Sequence, residues 1–277
     1  MIGEWFKRTG KRDQVFLATK FGAVWNGREV VMRSDPEYVR QACGKSLKRL
    51  GVDYIDLYYM HRTDKKTPIE ETVRAMVELK NEGKIKYLGL SEVSAETLRR
   101  ACTVHHIAAV QVEYSPFTID IEDPQVGLLK ACRELGVAVV AYSPLARGFI
   151  TGRYRSPDDF GEGDFRRAVP RYSPENFPKN LKLVDQFADL AKKKGCTPGQ
   201  LCLAWLLAQG DEIIPIPGTK KIKYLEENLG ALNVKLTLEE KAVIRLAVDA
   251  AEVHGDRYDA SMMGSLLADT PPLKTSV

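Results

Sequence analysis

The chain has 277 residues, long enough for one α/β barrel or two average domains. Its 41 Lys and Arg stand against 37 Asp and Glu, a balance too even and too scattered for the basic stripe that a nucleic-acid footprint requires. No apolar run approaches the roughly 20 residues that span a bilayer, and the opening MIGEWFKRTGKR lacks a signal-peptide core, so a soluble cytoplasmic protein is expected.

In chain order, a helix end near Trp5 precedes a strand over 15–19 that is closed by Lys20. Ser34 and Asp35 ahead of Pro36 offer an N-cap and a first-turn proline for a helix that runs to Leu50 and stops at Gly51. A strand over 54–60 ends at His61. Thr67-Pro68-Ile69-Glu70 has the form of a capping box, with Thr67 accepting from the Glu70 amide, and the helix it opens extends to Glu82 before Gly83. A strand over 87–90, a short helix after Ser94, a strand over 108–112, a helix over 124–135 and a strand over 137–141 follow. Residues 143–179 break the rhythm with Gly, Pro, Asp and Arg, and a loop of that length is usually a functional lid or disordered. Helices over 180–194 and 198–209, a strand over 212–216 and a helix over 221–230 resume the alternation. Lys192, Lys193 and Lys194 complement the dipole of a helix stopped by Gly195. The tail carries a helix over 238–251 and an irregular end. The five cysteines form no C-x-x-C and imply neither a disulfide framework nor a metal site; Cys43 and Cys132 stand where buried small residues serve.

Strands alternating with helices mean right-handed βαβ units and a parallel sheet, and nearly all-apolar strands mean that both faces are covered. No G-x-G-x-x-G follows a strand, which counts against an open dinucleotide-binding sheet. A single (β/α)8 TIM-barrel-type domain over 1–277 is expected, although only six strands are counted. The ends of barrel strands converge on one face. Those ends are Lys20, His61, Ser91, Gln111, Tyr142 with Ser143, and Gly218. Gln111 adds a polar group inside the otherwise apolar AAVQVEY.

The stretches ATKFG, YIDLYYMHR, IKYLGLSE, VQVEYSP, AYSPLARGFITGR and IPIPGTKKIKYLEENL resemble, in order and spacing, those of the aldo-keto reductases. That resemblance implies a (β/α)8 barrel that uses NADPH, without a Rossmann fold, to reduce small carbonyl compounds. It assigns Lys20 as the lysine that lowers the pKa of a neighbouring tyrosine and His61 as the group that orients the carbonyl. It gives Ser91 and Gln111 to the nicotinamide carboxamide and Tyr142 to the stack on the nicotinamide. Ser143, Leu145, Arg147 and Gly148 fall to the pyrophosphate, Thr219 and Lys221 after Gly218 to the 2′-phosphate, and Glu227 and Asn228 to the adenine. Glu92 stands where many members have asparagine, and its role is left open.

The sequence departs from the family in one respect: no D-T-A-x-x-Y-G-like stretch carrying the family's aspartate and tyrosine occurs in it. Met1 resembles an entry at the last turn of the second barrel helix, so the first two strands and first helix are expected to be absent and the sheet edges open to self-association. Three readings compete: a reductase of reduced activity, a non-catalytic NADP(H)-binding or interaction subunit, and an aldolase-like barrel with Lys20 as Schiff-base lysine.

Overall fold

The computed structural model describes residues 1–274 and divides into two compact units. The first comprises Met1–Gln111, Pro124–Ala138 and the chain from Ser265 on; the second comprises Val112–Asp123 and Val139–Gly264.

The strands of the first unit are β1 (Ala18–Phe21), an antiparallel hairpin of β2 (Ala23–Trp25) and β3 (Val30–Met32), β4 (Ile55–Met60), β5 (Ile85–Ser91) and the first residues of β6 (Ala109–Glu113). β1, β4, β5 and β6 pair in that order as parallel neighbours, with Lys20 opposite Tyr59, Met60 opposite Leu90 and Ser91 opposite Gln111. Its helices are α1 (Ile2–Thr9), α2 (Pro36–Leu50), α3 (Ile69–Asn81), α4 (Ala95–Val104) and α5 (Leu128–Leu135). Every residue of β4 is buried, including Asp56. Burial pushes the Asp56 carboxyl up, but hydrogen bonds from the Leu17 amide, Arg12 and Lys86 outweigh it and hold the pKa below the usual carboxylate value.

α2 begins as its sequence dictates: the Asp35 side chain accepts from the Tyr38 amide (3.0 Å), Pro36 occupies the first turn, and Gly51 takes the left-handed conformation that ends the helix. Cys43 and Cys132 are buried on α2 and α5.

Four expectations require correction. β1 starts at Ala18 rather than Val15, because the Val15 amide closes a 3₁₀ turn onto Arg12; Lys20 therefore lies within the strand, not after it. Thr67 forms no capping box. Asp64 engages its amide and hydroxyl (both 2.8 Å), and α3 starts behind Pro68 without a side-chain cap. The helix expected from Pro124 begins only at Leu128, after a left-handed Gly127. The hairpin of β2 and β3 occupies a stretch to which the sequence reading gave no element.

The second unit pairs β7 (Ala138–Tyr142) with β8 (Ile213–Pro215) in parallel, Val139 opposite Ile213. Around this pair stand α6 (Phe177–Lys194), α7 (Pro198–Leu207), α8 (Ile222–Gly230), α9 (Leu238–Asp249) and the short α10 (Ala260–Met263). Capping boxes at Thr197 with Gln200 and at Thr237 with Glu240 fix the starts of α7 and α9. The 143–179 stretch is folded: 3₁₀ turns at Ala146–Thr151, Pro157–Asp159, Phe165–Ala168 and Pro170–Tyr172 pack on rings of Phe149, Phe160, Tyr172 and Phe177 whose centroids are 4.9–5.9 Å apart. Six parallel strands are thus present, the number counted from the sequence. Among the described residues no helix is long and apolar enough to cross a membrane, and no cluster of His, Cys, Asp or Glu is placed to hold a metal ion.

Candidate active site

In the first unit β1, β4, β5 and β6 bring together Lys20, His61, Ser91 and Gln111. The Lys20 ammonium donates to Gln111 Oε1 at 2.5 Å. Much of the Lys20 side chain is exposed, yet its charged end is withdrawn from water. That withdrawal first, and the Arg62 cation second, hold its pKa below the ordinary lysine value. Gln111 is also the side-chain hydrogen-bond partner of Tyr59, whose ring centroid lies 6.0 Å from the Lys20 nitrogen and whose phenol is pushed up to about 12 by burial. A buried glutamine in an apolar strand is therefore engaged by a lysine from β1 and a tyrosine from β4.

His61 follows β4 directly, its amide donating to the Phe21 carbonyl (2.8 Å). Its pKa is lowered to about 4, by burial first and by the Arg62 and Lys20 cations after it, with the Glu92 carboxylate opposing them. The imidazole is accordingly neutral at neutral pH, a state in which one ring N–H donates and the other nitrogen accepts. Ser91, at the end of β5, accepts from Arg62 Nη1 (3.1 Å), and the same nitrogen donates to the His61 carbonyl (2.7 Å).

In the second unit a pocket of about 670 Å³ is lined by Tyr142, Ser143, Leu145, Arg147, Gly148, Gly218, Thr219, Glu227 and Asn228, nine of the ten residues that the resemblance gave to this part of the cofactor site. The tenth, Lys221, is exposed at the start of α8 and does not line the pocket; its amide donates to Thr219 Oγ1 (3.1 Å). The wall from 143 to 148 is an unusual piece of backbone, with Ser143, Ala146, Arg147 and Gly148 all left-handed. A non-glycine residue in that region costs on the order of 1 kcal/mol or more and persists only where the surroundings over-determine it. Here Tyr172 OH donates to the Ala146 carbonyl (3.0 Å), Arg166 Nη1 to the Arg147 carbonyl (2.9 Å) and Thr151 Oγ1 to the Gly148 carbonyl (2.7 Å). The Arg147 guanidinium lies 4.5 Å from the Tyr258 ring centroid and 3.5 Å from Glu113, and its two Nη atoms are buried without a hydrogen-bond acceptor. Tyr142 OH is 3.3 Å from Tyr258 OH.

Sequence reasoning missed several residues. Arg62 bonds the His61 carbonyl and Ser91, and Tyr59 bonds Gln111; Tyr59 was visible as the residue two before His61, on the same face of an extended strand. The pocket also takes in Thr151, Arg153, Tyr154, Gly199 and Tyr224. Arg153 Nη1 donates to Tyr224 OH (3.3 Å). Tyr224 lies three and four residues before Glu227 and Asn228, the helical spacing that puts all three on one face of α8.

The Aldo/keto reductase family model matches residues 1–253. Aldo-keto reductase str7 of Strobilurus tenacellus is 59% identical over 273 residues, which is 99% of this chain and 80% of that protein. Aldo-keto reductase yakc of Schizosaccharomyces pombe, whose name specifies NADP(+), is 56% identical over 98% of this chain and 81% of its own length. Among solved structures, the glycerol dehydrogenase AKR11B4 from Gluconobacter oxydans superposes with a TM-score of 0.83 at 30% identity, over 92% of this chain and 78% of that one. The expectation of missing first strands finds no support in these matches.

Proposed function

Because the chain belongs to the aldo/keto reductase family of oxidoreductases, with the (β/α)8 class of fold, we propose that it binds NADPH and reduces small aldehydes or ketones. The observation that carries this reading is the pocket of the second unit, which gathers nine residues picked from sequence alone. Its volume falls within the range of about 300–1,000 Å³ typical of ligand sites. The donor set fits a phosphorylated dinucleotide: a left-handed turn over 146–148, Arg147 with buried donors that lack acceptors, and Arg153 beside Tyr224. NADPH would supply the hydride.

The protein's own groups define the rest. Ser91 and Gln111 are assigned to the carboxamide, Tyr142 to the nicotinamide face, and Lys20 with His61 to the carbonyl. Neutral His61 can donate a hydrogen bond to a carbonyl oxygen and stabilise the charge that develops there. It is a poor source of the proton that the alkoxide needs, because its conjugate acid titrates near 4. Lys20 donates to Gln111 Oε1.

That weakness of His61 as a proton source favours a second reading, a cofactor-binding subunit without turnover. Titration of NADPH fluorescence, followed by NADPH consumption with 4-nitrobenzaldehyde, separates the two. Binding with no detectable consumption assigns the subunit role, and absence of binding sinks both.

A further inference from the structure

Glu92 is the residue to which the sequence gave no role. It is fully buried and left-handed (φ 50°), immediately after Ser91 and beside His61 and Arg62. A glutamate gains nothing intrinsically from that conformation, so its surroundings must hold it there. Three backbone or carboxylate contacts do so. The Glu92 amide donates to the Gln111 carbonyl (3.1 Å), its carbonyl accepts from the Ala268 amide (3.0 Å), and its Oε2 accepts from the Leu267 amide (3.3 Å). Two of these partners lie near the end of the chain, in a stretch beyond residues 1–253 matched by the family model.

The stretch is tied down along its length. Val93 and Ala268 form a parallel bridge, and the Ser94 amide donates to the Ala268 carbonyl (3.1 Å). Asp269 accepts from the hydroxyls of Ser94 and Thr97. The Thr270 amide donates to Thr97 Oγ1 (3.1 Å), and Arg100, paired with Glu70, donates to the carbonyls of Thr270 (2.9 Å) and Pro271 (2.7 Å). Leu267 is itself left-handed, so two strained residues face each other across the Glu92 carboxylate. Strain on both sides of one contact is what a segment locked in a single arrangement shows, not a frayed terminus.

We propose that residues 267–271 form a strap over the turn after β5 and that Glu92 is the positioning residue through which the strap holds Ser91 and Arg62 in place for the ligand. The part that concerns the ligand rests on the cofactor reading above; the strap itself does not. The carboxylate acts through its acceptor oxygen toward Leu267. Glutamine, which keeps an acceptor, should therefore preserve the function that alanine destroys.

The test uses the full chain as wild type, Glu92→Gln, Glu92→Ala and Arg100→Ala, the last loosening the strap from its far end if Glu92→Ala fails to fold. Amide hydrogen exchange at Leu267 and Ala268 is read first, and NADPH affinity by fluorescence second. Slow exchange in the wild type is expected, faster by on the order of tenfold in Glu92→Ala and Arg100→Ala and close to wild type in Glu92→Gln. NADPH affinity should fall by about tenfold in the same two variants and be rescued by glutamine. Exchange at Leu267 and Ala268 as fast as in an unstructured peptide overturns the strap. Equal loss of affinity in Glu92→Gln and Glu92→Ala overturns the positioning role and makes the charge itself the ligand contact. Undiminished affinity in Glu92→Ala or Arg100→Ala overturns it as well. A wild type that does not bind NADPH refutes the function proposed above while leaving the exchange result decisive for the strap.

Discussion

Gly89 on β5 offers the sharpest test of how the Lys20 network is held. A Cβ at this position would sit 2.5 Å from Cε1 and 3.1 Å from Cγ of Tyr59, and closer still to Cδ1. Carbon atoms need about 3.5 Å, so the ring would have to retreat by roughly 1 Å. It has nowhere to go: Tyr59 is 1% exposed and tied through its hydroxyl to Gln111, which in turn holds Lys20. Gly89→Ala is therefore an overpacking substitution, and the upper end of the usual range, about 3 kcal/mol, is expected. With an unfolding entropy of about 2.1 cal/mol/K per residue, this lowers Tm by roughly 5 °C in one cooperative transition. Urea unfolding of wild type, Gly89→Ala, Tyr59→Leu and the double variant supplies the cycle, and the double variant should be little worse than Tyr59→Leu alone. A loss below about 0.5 kcal/mol in Gly89→Ala, or full additivity in the cycle, would refute the claim that Gly89 exists to seat the Tyr59 ring.

Other expectations follow from the same geometry. His61 titrates near 4 in the folded protein against 6.5 when unperturbed, so between those values the unfolded chain binds the extra proton and stability falls as pH drops. The loss approaches about 3 kcal/mol by pH 4 and is absent above pH 7; His61→Phe should flatten that slope in denaturant titrations at stepped pH, and an unchanged slope would contradict the buried neutral imidazole. Gln111→Leu removes the partner of both the Lys20 ammonium and the Tyr59 hydroxyl, which should cost about 2 kcal/mol and lower the Lys20 pKa further, observable by NMR titration of the lysine. Asp35→Ala loses the cap of α2 and should cost about 1 kcal/mol, whereas Thr67→Val, which loses only a bond to Asp64 ahead of α3, leaves that helix uncapped as before.

The strand and helix order was legible because each unit carries its own punctuation: Pro36 and Gly51 around α2, Thr197 with Gln200 at α7, Gly195 after the three lysines of α6. Errors arose where a side chain had two possible partners. Thr67 could cap α3 or bond Asp64, and a sequence does not show that Asp64 already gathers three backbone amides at Ser34, Lys66 and Thr67. The hairpin of β2 and β3 was a different failure: its strands are only three residues long, and the turn signal Asn26-Gly27 between them is followed by the charged Arg28 and Glu29. In the candidate site, Lys20, His61 and Ser91 were legible as polar ends of apolar runs and Gln111 as a polar residue inside one. Arg62 and Arg153 were not, because an arginine in a sequence looks solvated until its hydrogen-bond partners are known. Glu92 was noticed but not understood, as its partners lie some 175 residues further along the chain.

The folded state of the 143–179 stretch bears on how fast a ligand can enter. Its turns rest on the rings of Phe149, Phe160, Tyr172 and Phe177 and on hydrogen bonds from Tyr172 and Arg166, all internal to the protein. A loop of that length that ordered only around its ligand would forfeit on the order of 1 kcal/mol for each residue fixed. None of that cost falls on association here. Capture should accordingly be a single kinetic phase whose observed rate climbs linearly with NADPH concentration, without the plateau that a slow ordering step imposes.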